Sequence, residues 1–523
     1  MAIGFAQKQQ RFENPREILG DRLREGSIYR LLADYGHEMF PDDYFSDLYT
    51  DSKRGRPTIP ARVMATVMLL QAFEGLSDRE AIERLGFDLR WQAAAQVDTG
   101  AVSFHPTALV GQRNRLRASE RPRRLFEDTK VVAKQTGAMK SRVRVLDSTP
   151  IYDAVATEDT VTQLRAAIRK LLTALGVEGK PLVIKVRGAL RRDDDYKTRG
   201  KPPCDWDDKE AREALVDELV HDALYALDAL NGEVIPFTAR DACDLLALVA
   251  GQDVEMGDDG IFRIQRRVAK DRVISTVDTQ ARHGHKSRKR HFDGYKAHLS
   301  VDPDSELIDE VSATKGNVSD RDAVEELVGP LEDEDNKPEI LGDSAYADGA
   351  TRSVLSNLGF QVMAKCPPIR NVTGGFPKNC FDIDLDTKSV TCPAGQSVPI
   401  TPTGNGGRAT FAKYCSSCSL KTNCTNSIRG RTISINAHEA ILQRARKKQE
   451  DPNWVTRYRA DRPIVERKIA HFVRKPWGGR NARTRGIQRV ATDLYSRAGV
   501  INWARLATLG LTHDGNRWVL GTS

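Results

Sequence analysis

No run of apolar residues in this chain approaches the roughly 18 that a membrane-spanning helix needs. The longest candidate, VMATVMLLQAF at 63–73, is too short and reads as a buried helix. The opening residues, MAIGFAQKQQRF, lack the apolar core of a secretory leader. Cysteine is sparse, and eight in 523 residues do not make a disulfide scaffold. No internal repeat is present. These absences together predict a cytoplasmic protein with no membrane partner.

What the chain does have is length and unevenly placed positive charge. At 523 residues it exceeds what one core usually supports, so several domains are expected. Within a net charge of +8, residues 428–489 hold 17 Lys and Arg against 5 Asp and Glu, a local +12. Such a concentrated excess suits a surface that contacts phosphates.

Residues 1–135 read as all-helical. Ser77 and Glu80 make a capping box after the helix 60–73 and the turn Glu74-Gly75-Leu76, compatible with a helix-turn-helix. A helix over 107–126 carries six arginines, Arg113 and Arg117 among them, which suit a DNA backbone or, equally, a solvated face. The alternation in RVRVLD (142–147) then predicts a strand ending at Asp147. After a helical block at 155–275 come the hairpin strands YKAHLSV (295–301) and LIDEVSA (307–313) and a helix 320–329. Next are the strand EILGD (339–343) ending at Asp343, a helix 350–358, and the strand QVMAKC (361–366). That succession predicts an α/β core interrupted by a helical insertion.

Ligands gather at strand C-termini in such cores, and adjacent parallel strands would bring Asp147 and Asp343 together. Two carboxylates sharing one spot repel unless a cation neutralises them. With only 10 histidines in the chain, oxygen ligands point to Mg²⁺ or Mn²⁺. Each aspartate taken alone would also serve as a turn cap. A third carboxylate, Glu466, lies in VTRYRADRPIVERKIAHFVRK (455–475), beside an apolar stripe of Val465, Ile469 and Phe472. Around it stand Arg459, Arg462, Arg474 and Lys475. Pro463 predicts a break near Asp461, with the Glu466 helix running from 463 to about 474. Three carboxylates among arginines are what two-metal phosphodiester chemistry requires.

Several motifs occur in one order: VLDSTPI around Asp147, GHKS and FDGYKAHLSVD at 284–302, TKGNVSDRDA at 314–323, GDSAYAD at 342–348 and RPIVER around Glu466. In this the chain resembles bacterial insertion-sequence transposases of the DDE class, over about residues 30 to 475. The resemblance implies an RNase H-like core with Asp147, Asp343 and Glu466 as the catalytic, Mg²⁺-binding triad. It also implies cut-and-paste transfer of double-stranded DNA, with the element's terminal inverted repeats and a target as partners. An assembly of at least two protomers, such as a dimer on the bacterial nucleoid, would hold both ends. The family's signature, Tyr-x2-Arg-x3-Glu-x6-Lys, is met at Arg462 and Glu466, but Tyr458 is one place early and Val473 holds the lysine position. Arg474 is the nearer substitute on a continuing helix. His285 and Lys286, in ARHGHKSRKRH, would contact DNA or form a solvated basic loop.

Cys392, Cys415, Cys418 and Cys424 are spaced as CPAG, CSSC and C, which suits structural Zn²⁺ held by thiolates or a set of reduced cysteines. The glycine- and threonine-rich surroundings predict a small unit that depends on metal rather than on a core. The expected domains are therefore a helical N-terminal DNA-binding or assembly domain, 1–135, and an RNase H-like mixed-sheet core, 136–375, with its insertion 155–275. A zinc-ribbon-like insertion at 376–427, a basic helical segment at 428–490 and a C-terminal helix and tail at 491–523 complete the chain. The expected function is DNA transposition by metal-dependent endonuclease cleavage and strand transfer. The alternatives are a transposase-derived DNA-binding zinc protein that no longer cuts, and a plain metal-dependent nuclease.

Overall fold

The computed structural model describes residues 14–49, 57–99, 104–153, 155–287, 289–331, 337–369, 375–475 and 479–521. The opening residues read above for a leader thus lie outside the described residues. No helix among the described residues is long and apolar enough to cross a membrane.

The N-terminal helices are α1 (Pro15–Leu19), α2 (Ile28–Met39), α3 (Ala61–Glu74), α4 (Asp78–Phe87), α5 (Leu89–Ala95), α6 (Thr107–Ala118) and α7 (Arg124–Gln135). α3 is buried on nearly every side, as its all-round apolar sequence requires. Ser77 and Glu80 form the expected capping box on α4. The single helix expected over 107–126 is instead two. Pro122, without an N–H, sits in the break after α6, and the chain restarts as α7.

The sheet is built on β1 (Val143–Tyr152). The insertion follows as α8 (Thr160–Glu178), α9 (Lys180–Ala189), α10 (Lys209–Asp228) and α11 (Phe237–Gln252), with its own core around Leu164, Ile168, Leu219 and Leu246. It closes with a small hairpin, β2 (Val254–Met256) and β3 (Phe262–Ile264), inside the block 155–275 that was expected to be helical. The remaining sheet strands are β4 (Arg282–Ser287), β5 (Arg290–Val301), β6 (Ile308–Lys315), β7 (Glu339–Gly342) and β8 (Val362–Ala364). β5 pairs antiparallel with β1 on one side and β6 on the other, while β7 lies parallel to β1 and β8 parallel to β7. β4 pairs with the first residues of β5, so the segment holding His285 and Lys286 is a strand and not a loop. Helix 320–329 is reduced to a 3-10 turn, Asp320–Ala323, followed by α12 (Val324–Val328); α13 (Gly349–Asn357) precedes β8.

β1 does not end at Asp147. It runs on to Tyr152 because β5 pairs with it that far, Tyr152 lying opposite Gly294. Its parallel pairing with β7, however, stops at Val145 opposite Leu341. Asp147 and Asp343 therefore both lie just past the end of the parallel ladder.

The cysteine-rich segment forms two three-stranded antiparallel sheets. One is β9 (Asp382–Asp384), β10 (Ser389–Thr391) and β11 (Ser397–Pro399), and the other is β12 (Thr401–Thr403), β13 (Gly406–Thr410) and β14 (Thr432–Asn436). The one-turn helices α14 (Ala412–Cys415) and α15 (Lys421–Cys424) lie between β13 and β14. Because β14 pairs with β13, this unit reaches residue 436, past the expected limit of 427. It also has an apolar core, including Phe381, Val390, Phe411 and Ile433, which the sequence reading did not foresee.

α16 (Glu439–Lys448), α17 (Pro452–Phe472) and α18 (Ile487–Thr508) follow, and the hairpin β15 (Leu511–His513) and β16 (Trp518–Leu520) ends the described chain. α17 is continuous through Pro463, contrary to the expected break. Tyr458, Val465, Ile469 and Phe472 are buried on both sides of the proline, and that burial outweighs the one backbone hydrogen bond the ring removes. The helix ends at Phe472, so Arg474 and Lys475 lie beyond it and the helical angle assigned to them does not apply.

α18 joins two cores. Val490, Leu494, Ala498 and Ile501 pack on the sheet, while Trp503, Leu506 and Ala507 enter the N-terminal helical core. Gly499 permits this, since a Cβ there would stand 2.8 Å from the Leu125 carbonyl oxygen. Beside it, buried Asn502 accepts from the Ile308 N–H at 2.8 Å and donates to the Ile308 carbonyl at 2.8 Å and to Thr129 Oγ1 at 3.0 Å. Asn502→Leu removes the side-chain partner of the buried Ile308 N–H and carbonyl and one of the two partners of Thr129 Oγ1, which keeps its bond to the Phe126 carbonyl, and chemical denaturation should show a loss on the order of 2–4 kcal/mol. A loss below about 0.5 kcal/mol would mean the clasp is not needed.

Candidate active site

The site begins with alternation along β1. Asp147 and Thr149 point to the face covered by α17, and Ser148 points to the opposite face. On the α17 side, Arg462 Nη2 donates to Asp147 Oδ2 at 2.8 Å, and its Nη1 reaches the Leu146 carbonyl at 3.4 Å. Burial pushes the Asp147 carboxyl above its usual range; the Asp343 charge adds to that and Arg462 opposes it. The guanidinium interacts favourably with both aspartates. Asp343 follows β7 directly and caps the turn after it, accepting from the Ala345 N–H at 2.8 Å.

Glu466 stands one turn beyond Arg462 on the same side of α17, exposed, and enters no ion pair among the described residues. The structure thus gathers Asp147 and Asp343 around one arginine and leaves Glu466 alongside. Among the described residues, no three His, Cys, Asp or Glu side chains are grouped closely enough to hold a metal ion.

Two groups at the site escaped the sequence reading. Arg480 donates to Thr149 Oγ1 on the Asp147 face, hidden in a run rich in arginine. On the other face lies a buried network. Ser148 Oγ donates to Asp320 Oδ2 at 2.8 Å, and Lys296 Nζ donates to Asp320 Oδ1 at 2.8 Å. His298 bridges the Tyr346 hydroxyl at 3.1 Å and Thr314 Oγ1 at 2.8 Å. The signal available was GYKAHLSV, which puts Lys296 and His298 on one face of β5.

The other expected contacts divide. Arg113 is committed to Asp78 at 2.6 Å and to Gln71, and Arg117 bonds Asn114. Arg121, Arg123 and Arg124 pair with Asp128, Glu310 and Asp47. Most of that arginine run therefore holds helices together, because the acidic partners arrive from other elements. Arg459, Arg474 and Lys475 are exposed and enter no ion pair among the described residues. His285 lies near His291 across the β4–β5 pair, and Lys286 is exposed. Asp278, buried, accepts from Tyr295 at 2.6 Å and from the Gly486 N–H, a structural role.

Cys392, Cys415, Cys418 and Cys424 line one small cavity with Phe381 and Phe411. Burial raises the Cys424 thiol, and the other three thiols add to the shift. Cys204, Cys243, Cys366 and Cys380 lie apart, all with free thiols.

Two segments match known families: residues 17–115 match a family described as transposase domain (DUF772), and residues 391–507 one described as transposase DDE domain. Both matched families are transposase families, and together they support an insertion-sequence DDE transposase. No curated protein and no solved structure matches it. The second matched segment contains Arg462, Glu466 and all four clustered cysteines. Asp147 and Asp343 lie outside both matched segments and are joined to the second only through the fold.

His298 is fully buried, and burial pushes its pKa down to about 4, with Asp320 opposing and Lys296 reinforcing. A histidine kept neutral in the fold stabilises it fully above the unfolded value of about 6.5. That contribution is lost as pH falls from there toward 4. Melting curves recorded across this window should fall more steeply for the native chain than for His298→Gln, by on the order of 2 kcal/mol in total. Parallel curves would show that His298 does not titrate against folding.

Proposed function

We propose that this transposase cuts DNA at the ends of its element and joins the 3′-hydroxyl ends to target DNA, with Asp147, Asp343 and Glu466 holding Mg²⁺ or Mn²⁺. The observation that carries this is the Arg462 guanidinium bonded to Asp147 at the end of a parallel ladder, with the charge of Asp343 acting on the same guanidinium. A partly buried acidic pair retains a cation as counter-charge, and its oxygen-only donors suit a hard divalent ion. Such ions, when bound, would activate a water or 3′-hydroxyl and stabilise the leaving oxygen. The chain's own side chains hold the rest. Arg462 and Arg480 place positive charge on the Asp147 face, where a phosphate would lie. The Ser148–Asp320–Lys296 network fixes β1 from behind.

The six-stranded sheet, in the order β4-β5-β1-β7-β8 with β6 also paired to β5, joins antiparallel pairing around β5 to parallel pairing of β1, β7 and β8, which supports an RNase H-like core. In this reading the N-terminal helices serve DNA binding or assembly, and Arg459, Arg474, Lys475, His285 and Lys286 approach the duplex. A dimer would hold both element ends on the bacterial nucleoid, in the cytoplasm. The four thiols line one cavity but are not grouped closely enough to hold a metal ion as they stand, so a structural Zn²⁺ in the unit next to the α16–α17 segment would have to draw them together.

In a gel assay on end-containing DNA with Mg²⁺, Asp147→Asn should lower cleavage by more than about 100-fold while duplex binding is kept. Undiminished cleavage by that variant would sink the assignment. Binding without cleavage by the native chain would favour the non-cutting alternative. For the thiol cluster, the purified chain should release about one zinc per molecule to a chromogenic chelator after thiol modification, and Cys415→Ser with Cys418→Ser should abolish this. A metal-free native chain that melts like the double variant would reject the zinc site.

A further inference from the structure

A groove of about 750 Å³ lies on the N-terminal helices, between the outer face of α4 and the start of α5, with Leu19 at the end of α1 in its lining. Leu76 and Leu89 line it too, and so does Phe87, whose ring is 85 % exposed. The lining also holds three carboxylates, Glu80, Glu83 and Asp88, against two guanidinia, Arg84 and Arg90. Both guanidinia are spent within the fold: Arg90 pairs with Asp88 at 2.7 Å, and Arg84 stands 3.7 Å from Asp88 and from Glu74. Glu80 and Glu83, exposed and three residues apart on α4, enter no ion pair among the described residues. Glu80 accepts from the Ser77 N–H at 2.7 Å, and Arg483, which donates to the Leu76 carbonyl, acts on it only through charge. The groove is therefore apolar inside and negative at its rim.

The chain itself supplies a segment of the opposite character. Residues 1–13, MAIGFAQKQQRFE, lie outside the described residues and join the fold at Asn14, the N-cap of α1. They carry Phe5 and Phe12, with Lys8 and Arg11 between them and Glu13 as the one acid. α1 has five residues and so spans about 7.5 Å, which sets the separation of Asn14 from the Leu19 lining. Phe12 is two residues from Asn14, and the nine-residue stretch back to Phe5 reaches up to about 30 Å when extended. Both rings are thus within reach of the groove.

We propose that this groove docks the chain's own N-terminal segment, with Phe5 and Phe12 packing on Phe87 and the leucines, and Lys8 and Arg11 meeting Glu83 and Glu80. A tether this short gives an effective concentration in the millimolar range, so a contact too weak to hold a free peptide is held here. α4 is the second helix of the pair compatible with a helix-turn-helix, yet its outer face is acidic and repels a polyanion. The docked segment covers that face, and any DNA contact of this domain lies elsewhere. The docking is independent of the active-site chemistry.

The test uses the full chain. Carbodiimide joins a lysine to a carboxylate in direct contact, and an equal mixture of isotope-labelled and unlabelled chains separates contacts within a chain from contacts between copies. Mass spectrometry should find Lys8 joined to Glu83 or Glu80 within single chains. Cross-links that pair a labelled with an unlabelled peptide would seat a second copy in the groove and overturn the docking. Hydrogen exchange across α4 and α5 should be slower in the native chain than in Phe5→Ser with Phe12→Ser by about 5- to 50-fold, the effect of burying an aromatic face less the cost of ordering its segment. Phe87→Ser, at an exposed position, should remove that protection without altering the helix core. Lys8→Glu with Arg11→Glu should reduce it and abolish the cross-link. Equal exchange in the native chain and the double phenylalanine variant, or no cross-link from Lys8 to either glutamate, overturns the docking.

Discussion

The pairing of β1 on both edges is the constraint on which the rest depends. β5 holds it antiparallel over eight residue pairs, and β7 holds it parallel over only three. The unequal lengths leave Asp147 still inside a rigid strand but past its parallel neighbour, and Asp343 emerges from β7 at the same level. A carboxylate inside a strand gains little rotamer freedom, and burial raises its protonation affinity unless a cation stays near. Arg462 from α17 meets that need, so the helix is drawn to the sheet by charge as well as by Val465, Ile469 and Phe472.

The two faces of β1 then perform different tasks. Asp147 and Thr149 meet the guanidinia of Arg462 and Arg480 on the side where a polyanion could approach. Ser148 meets the half-buried Asp320–Lys296 pair, and His298 and Tyr346 close the network behind. Burial opposes the Asp320 charge, yet Lys296 and the hydroxyl of Ser148 hold its carboxyl below the usual range. A fully partnered network of this kind is rigid, since releasing any member strands the others without a partner. Charge on one face is thus balanced by fixed geometry on the other.

α18 is the second organising element. It carries apolar residues on one length toward the sheet and on the next toward the N-terminal helices, with Asn502 and Gly499 at the changeover. The buried Glu310, paired with Arg123 and Lys130 of the α7 region, fastens the same junction. The arginine run that invited a DNA-binding reading is largely consumed here and in the helix contacts around it.

Local pattern was a good guide wherever neighbours in sequence decide the outcome. The alternation of RVRVLD, the hairpin YKAHLSV with LIDEVSA, the capping box at Ser77 and the short strand before Asp343 are all present, because side-chain periodicity and capping act over a few residues. The sequence by itself also carried the resemblance to the transposase family, through motifs dispersed over most of the chain. Only the tertiary structure decided where β1 ends, since that depends on a strand some 140 residues away. It alone kept α17 whole through Pro463, because burial of residues on either side outweighs a local preference. It also decided which arginines are spent on internal carboxylates and which stay open, and that Arg462, not a helix break, sits beside Asp147. Charge pairing and burial are set by what the fold brings from a distance, and no window of sequence contains that information.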